Sequence, residues 1–303
     1  MFHFPVVFEY VRSNNRMNIN IVVIGAGGTG GYVIPAVARM LSEYKRLYKH
    51  EFSFTIVDGD VVEEKNLVRQ NFIPADIGYN KAQILAMRYT NGFGIPIKAV
   101  MNYLGQNDLI NHFKTNAYNI VVACVDNHTT RASIAKQLES GIDKYIYSHG
   151  AYIDIGNEQY AGHAVCGTFS RTLPDFISKK LVCEKGNFYL PWVNHIFTEV
   201  MKPEDKHPDE MSCAERAVSN PQTMMANMTA ATLANNFIYS LIFQEPLRSH
   251  AVMFDVRSNS FEVRLNTLDN ILAPYRQCNP SQPCQPVQPF PPATLVQNKQ
   301  DMV

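Results

Sequence analysis

A chain of 303 residues can bury a substantial core, as one large domain or one domain with appendages. Its 46% apolar and 18% charged residues are ordinary for a globular protein. The 27 basic residues balance 27 acidic ones, so the bulk composition leaves no electrostatic footprint for nucleic acid or an anionic membrane.

The first residues, MFHFPVVFEYVRSNN, lack the basic start, apolar run and small-residue cleavage site of a signal peptide. Residues 1–18 are therefore read as an N-terminal extension, and the protein is expected to be soluble and cytoplasmic. No charge falls between Arg16 and Arg39, but the glycines there favour a buried strand, turn and helix over a membrane span.

Short apolar runs at 20–24, 52–57, 97–102 and 119–124 read as fully buried strands. Helical apolar spacing at 29–45, 80–92 and 129–140 alternates with them, and KYIYSH (144–149) is expected to be the fifth strand. Alternation of this kind predicts an α/β fold, a Rossmann-like, doubly wound and mostly parallel sheet. Residues 151–170 read as antiparallel ribbon, and 171–220 as an irregular crossover loop. A helix over 221–243 and a hairpin of 250–256 with 260–266, turning at Asn259, close the domain as an antiparallel C-terminal extension. The main domain is placed at 19–270. From Pro274 onward seven prolines and many glutamines mark a low-complexity segment, so 271–303 is expected to be a disordered tail.

Gly25, Gly27 and Gly30 satisfy G-x-G-x-x-G between the first strand and helix, with Gly28 inside the turn. Glycines there permit a tight turn and let backbone N–H groups approach phosphate at the positive end of a helix. Asp58 ends the second strand, where a carboxylate can accept both ribose hydroxyls, and Asp60 follows it. These features indicate an adenine nucleotide without separating NAD from ATP. The segment VDGDVVEEKNLVRQNF (57–72) goes further, presenting Asn66 and Arg69 from one short element, with Lys81 at the start of the next helix. No P-loop lysine is present, so Arg69 and Lys81 are the candidates to neutralise an α-phosphate under attack and departing pyrophosphate. Asp126, ending the fourth strand, stands where ligands bind in open α/β sheets and could hold Mg²⁺ between phosphates.

The ordered set GAGGTG, VDGDVVEEKNLVRQ, DIGYNKAQ and ACVDN resembles the ThiF/MoeB/ubiquitin-activating superfamily over about residues 18–245. That resemblance implies ATP- and Mg²⁺-dependent adenylation of the C-terminal glycine of a ubiquitin-like or sulfur-carrier protein. Carried onto this chain, Asp58 would bind ribose, Asn66, Arg69 and Lys81 the phosphates, and Asp126 the metal. Members are commonly homodimeric. Arg12 or Arg16 could be an arginine lent by a partner protomer, but no motif surrounds either.

Cys213, just before the long helix, resembles the thioester-forming cysteine of compact ubiquitin-activating enzymes; its context also looks like ThiF-related proteins of the bacterial PRTRC plasmid cassette. A thiolate near a helix N-terminus would be well placed to attack an acyl-adenylate, and a small packing residue is the alternative. Many relatives carry two CxxC pairs holding zinc. This chain has none, so no zinc is expected, although Cys166, Cys183, Cys278 and Cys284 form a conceivable degenerate set. Two other functions stay open on sequence grounds. One is a nicotinamide-dependent oxidoreductase, which would give no reason for Arg69, Lys81 and Asp126 together. The other is a non-catalytic module that binds nucleotide and recruits a partner.

Overall fold

A computed structural model describes residues 18–48, 50–105, 108–143, 149–170, 190–197, 222–267 and 270–271. Residues 1–17 of the expected N-terminal extension, the crossover loop apart from 190–197 (Cys213 with it), and nearly all of the tail lie outside these residues.

An eight-stranded sheet organises the chain, in the spatial order β3-β2-β1-β4-β5-β6-β7-β8. Strands β1 (Ile19–Ile24), β2 (Phe52–Val57), β3 (Lys98–Val100), β4 (Tyr118–Ala123) and β5 (His149–Asn157) run parallel. Strands β6 (Ala161–Ser170), β7 (Ser249–Asp255) and β8 (Ser260–Leu265) add antiparallel to that half. Asn259 turns the last hairpin with φ 51°, a left-handed conformation that asparagine tolerates better than most residues.

The mostly parallel α/β architecture matches expectation, with one addition. The fifth parallel strand as described is His149–Asn157, pairing Asn119 with Gly150 through Ala123 with Asp154, and of KYIYSH only His149 lies among the described residues. Residues 149–157 therefore serve as both the last parallel strand and the first strand of the antiparallel ribbon. An apolar run and an alternating run look alike where one strand is covered on both faces.

Side chains of one parity on β1 and β4 (Ile21, Val23, Ile120, Val122) enter one core, packed by α1 (Gly30–Tyr48), α2 (Lys81–Phe93) and α5 (Met224–Phe243). The other parity (Val22, Ile24, Val121, Ala123) enters a second core under α3 (His128–Asp143) and the short helix α4 (Val193–Ile196). Burial on both faces explains why these strands are continuous apolar runs without alternation. Trp192 anchors the α4 segment: its indole N–H donates to Thr168 O at 2.8 Å, and its ring meets Tyr152 edge-on.

Helix α1 contains Pro35, which cannot donate to the carbonyl of Gly31 four residues back. The amide of Asn71 supplies that bond, at 2.9 Å. One consequence is that the segment carrying Arg69 is fastened to the helix that leaves the glycine turn. Among the described residues, no helix is long and apolar enough to cross a membrane.

Candidate nucleotide site

Parallel order places the carboxyl ends of β1, β2, β4 and β5 at one edge of the sheet, where α/β proteins bind ligands. The glycine turn follows β1. Gly25 has φ +92°, and a Cβ there would lie 2.5 Å from the carbonyl oxygen of Cys124, on the loop after β4. A Cβ at Gly30 would lie 1.9 Å from Gly25 O. Only glycine permits this closeness, so the turn stays tight and its amides remain near the sheet edge.

Asp58 follows β2 and is nearly buried, with 9% of its surface exposed. Its Oδ2 accepts the Ala26 N–H at 2.6 Å, and its Oδ1 accepts the Asp60 N–H at 2.8 Å. Each oxygen keeps a second lone pair for a ribose hydroxyl. Burial raises the Asp58 carboxyl above the usual range, and the two N–H bonds and the Lys81 charge only partly offset that.

Lys81 opens α2 and is buried, with its Nζ 2.9 Å from Asp60 Oδ2. Burial pushes the Asp60 carboxyl up, but the hydrogen bond from the Tyr103 hydroxyl and the Lys81 ammonium outweigh it and hold it below its ordinary range. Asn80 fixes the loop that presents this pair. Its Oδ1 caps α2 by accepting the Gln83 N–H, while its Nδ2 donates to the carbonyls of Asp58 and Asp60 at 2.9 Å each. The N-x-x-Q spacing of Asn80 and Gln83 is a helix-start signal visible in the sequence, and it marks this residue as structural.

Asn66 is buried, and its Oδ1 accepts the Glu63 N–H at 2.8 Å, so in this conformation it caps its own turn. Arg69 stands three residues on and is partly exposed. Its carbonyl accepts from Asn227 Nδ2 at 3.4 Å, which brings the first turn of α5 to the same place. Asn227 is fully buried, and its Oδ1 also accepts from Thr29 Oγ1 at 3.3 Å and Asn157 Nδ2 at 2.6 Å. One amide thus joins the glycine turn, the Arg69 segment and the end of β5. Nothing in the local sequence marks it, because an asparagine inside an apolar helix reads as an incidental polar residue.

Asp126 is exposed on the loop after β4. Its neighbour Asn127 caps α3 by accepting the Thr130 N–H at 2.7 Å. Arg131, one turn into α3, donates to Val125 O at 2.6 Å and Ile155 O at 3.0 Å, pinning this loop to β5. Its Nε lies 3.2 Å from Asp154 Oδ1 in a Coulombic contact outside hydrogen-bonding geometry. Asp154 is fully buried and also meets Tyr152 Oη at 3.0 Å and His163 Nε2 at 3.1 Å. Burial alone would raise this carboxyl, yet the Arg131 charge and the His163 and Tyr152 contacts hold it below the ordinary value.

Among the described residues, no three His, Cys, Asp or Glu side chains cluster to form a metal cage. A single exposed carboxylate such as Asp126 does fit Mg²⁺, which usually takes one or two carboxylates together with substrate phosphates. Cys166 lies in the first core with its thiol pushed up to about 12 by burial, which suits packing better than ligation. The remaining members of the conceivable zinc set lie outside the described residues, as does Cys213.

A profile of the ThiF family matches residues 14–270, spanning every element above. The chain belongs to the ThiF family. Solved structures with the same fold include PaaA, at 11% identity and TM-score 0.53, covering 82% of this chain and 64% of PaaA. They also include E. coli MccB with ATP, at 15% identity and TM-score 0.52, covering 84% of this chain and 65% of MccB. The microcin C7 biosynthetic enzyme MccB in complex with N-formylated MccA matches at 16% identity and TM-score 0.51, with coverage of 84% and 67%. The ThiF-family chain described here therefore spans about two thirds of the length of these proteins. A search of curated protein sequences gave no significant match.

Proposed function

We propose that this ThiF-family protein is an ATP-dependent adenylyltransferase that activates a C-terminal carboxylate. The observation that carries the reading is the pairing of buried Lys81 with Asp60, beside a glycine cradle that has no P-loop lysine. A dehydrogenase, which meets only the diphosphate of a dinucleotide, gives less reason for a buried ammonium there. An enzyme that must balance the charge of a triphosphate gives more. The existence of MccB structures with ATP and with MccA supports a nucleotide and a polypeptide meeting in this fold.

In the proposed reaction the turn amides at Gly25–Gly30 receive phosphate, and Asp58 accepts the ribose hydroxyls. Arg69 and Lys81 steady the charge on the α-phosphate and on the leaving group. Asp126 would hold Mg²⁺, which supplies further charge neutralisation. A carboxylate oxygen of the substrate attacks the α-phosphorus in line, the bond to the bridging oxygen breaks, and pyrophosphate departs with the electron pair. The product is the mixed anhydride of substrate and AMP. The protein's part is to position the reactants and stabilise charge.

The substrate is proposed to be a ubiquitin-like or sulfur-carrier protein ending in glycine, and the enzyme a homodimer. Thioester transfer to Cys213 would be a separate, later step. A polar cleft of about 480 Å³, lined by Asn157, Tyr160, Gln222, Asp255 and Arg257, adjoins the site and offers room for an incoming chain end. The test is ATP–pyrophosphate exchange with Mg²⁺, with and without a candidate carrier, on wild type and Asp126→Ala. Carrier-dependent exchange that disappears in the variant is expected. Firm ATP binding without exchange by any carrier would replace this reading with that of a binding module.

A further inference from the structure

We infer that Asn227 is a positioning residue that couples the nucleotide cradle to the polar cleft beside it. The inference rests on reading this sheet edge as a nucleotide site and the cleft as the way in for a chain end. A carboxylate and an α-phosphorus react only when they are held about 3–3.5 Å apart. The two walls that would hold them come from separate parts of the chain. The glycine turn and the Arg69 segment form one, and residues 157–160 with Gln222 form the other. Something must fix the first wall against the second.

Asn227 lies between them, fully buried in the first turn of α5. On the nucleotide side its Nδ2 donates to Arg69 O at 3.4 Å, and its Oδ1 lies 3.3 Å from the Thr29 hydroxyl. A Cβ at Gly28 would be 2.6 Å from that Nδ2, so the amide rests directly on the turn. Gly28 is not one of the three glycines of the G-x-G-x-x-G pattern, and contact with Asn227 accounts for it. On the cleft side, Asn227 Oδ1 accepts from Asn157 Nδ2 at 2.6 Å, and the Asn157 carbonyl accepts the Gln222 amide at 2.9 Å in the cleft wall. The cap of the same helix holds this wall too. Thr223 donates to Gln159 O through its N–H at 3.2 Å and its hydroxyl at 2.9 Å. A movement of the turn or of Arg69 on binding phosphate is therefore passed to the 157–160 hairpin through one amide, whose buried bonds have no water to replace them. The other buried residues of α5 are all apolar, so a leucine here would suit the helix and break each of these links.

The test is amide hydrogen exchange on the whole chain, with and without ATP. Binding is expected to slow exchange at the glycine turn. It should also slow, by about five-fold or more, the cleft amides of Glu158, Thr223 and Val256, which donate to the carbonyls of Ala161, Gln159 and Tyr160. In Asn227→Ala the protection at the turn should remain, and the ATP-dependent slowing at the cleft should vanish. Asn157→Ala cuts the same link from its partly exposed end and should give the same result, which covers the case of an Asn227 variant that does not fold. Wild-type protection confined to the turn would overturn the inference. Cleft exchange that speeds up equally with and without ATP in the variants, its slowing by ATP intact, would overturn it too, since that marks a residue that only stabilises the fold. No protection at the turn of wild type would be a different failure, that of the nucleotide reading itself.

Discussion

Two cation–carboxylate pairs sit at the same sheet edge and are built for different purposes. Arg131 and Asp154 are both buried, 6% and 1% exposed, and the pair is surrounded by further polar contacts. Lys81 is equally hidden, but its partner Asp60 has 46% of its side chain exposed. A charge pair sealed on both sides has no alternative to staying together, because either member left alone would be a stranded buried ion. A pair open on one side can exchange its partner for an incoming anion, since water takes over the carboxylate. The first pair pins the loop that carries Asp126. On the proposed function, the second keeps a lysine ready for phosphate.

Substitutions can break that comparison. The largest expected effect is on Arg131→Ala, which leaves the buried Asp154 without its permanent cation and should cost about 3–5 kcal/mol of stability, read from the denaturant midpoint. A loss below about 1 kcal/mol would mean the pair is no more than an exposed one. Next comes Lys81→Met. Stability should hold within about 1 kcal/mol, while ATP–pyrophosphate exchange falls by about a hundred-fold. The reverse pattern would make the lysine structural and remove the contrast.

The smallest effects are in pH dependence, where two carboxylates have opposite signs. Asp154 has a lowered folded pKa, so its stabilising contribution is present above its unfolded value of about 3.9 and lost as pH falls through the folded one. Asp58 has a raised folded pKa, so stability declines as pH rises from about 3.9 through that raised value. Denaturant midpoints between pH 2 and 6 (roughly the window these shifts define) should show Asp154→Asn flattening the acid limb. Asp58→Asn should remove the decline above it. Matching curves for the two variants would show that burial and pairing do not separate these groups.

Much of the site is legible locally because its signals are short-range. Four glycines within six residues define the turn, an acid terminates each of two apolar runs, and Asn80 with Lys81 opens a helix with a recognisable cap. The parts that hold the site together are not legible, since their partners are far apart in the chain. Asn227 reaches Thr29 across 198 residues, and Asn71 answers the gap left by Pro35 from 36 positions away. Asn66 shows the opposite case: a residue expected from the sequence to contact phosphate, whose oxygen is engaged by its own turn.

The sequence by itself determined the α/β alternation, the glycine turn and the order of the charged residues. All three follow from local backbone chemistry and from apolar periodicity, which nearby residues decide. Only the tertiary structure decided that 149–157 pairs both in parallel with β4 and antiparallel with β6, that Lys81 is held by Asp60, and that one asparagine in α5 joins three loops. Those outcomes depend on which buried donors and acceptors find one another once two cores have formed around the sheet. A buried polar group must be paired wherever its partner lies in the chain, and no local pattern records where that is.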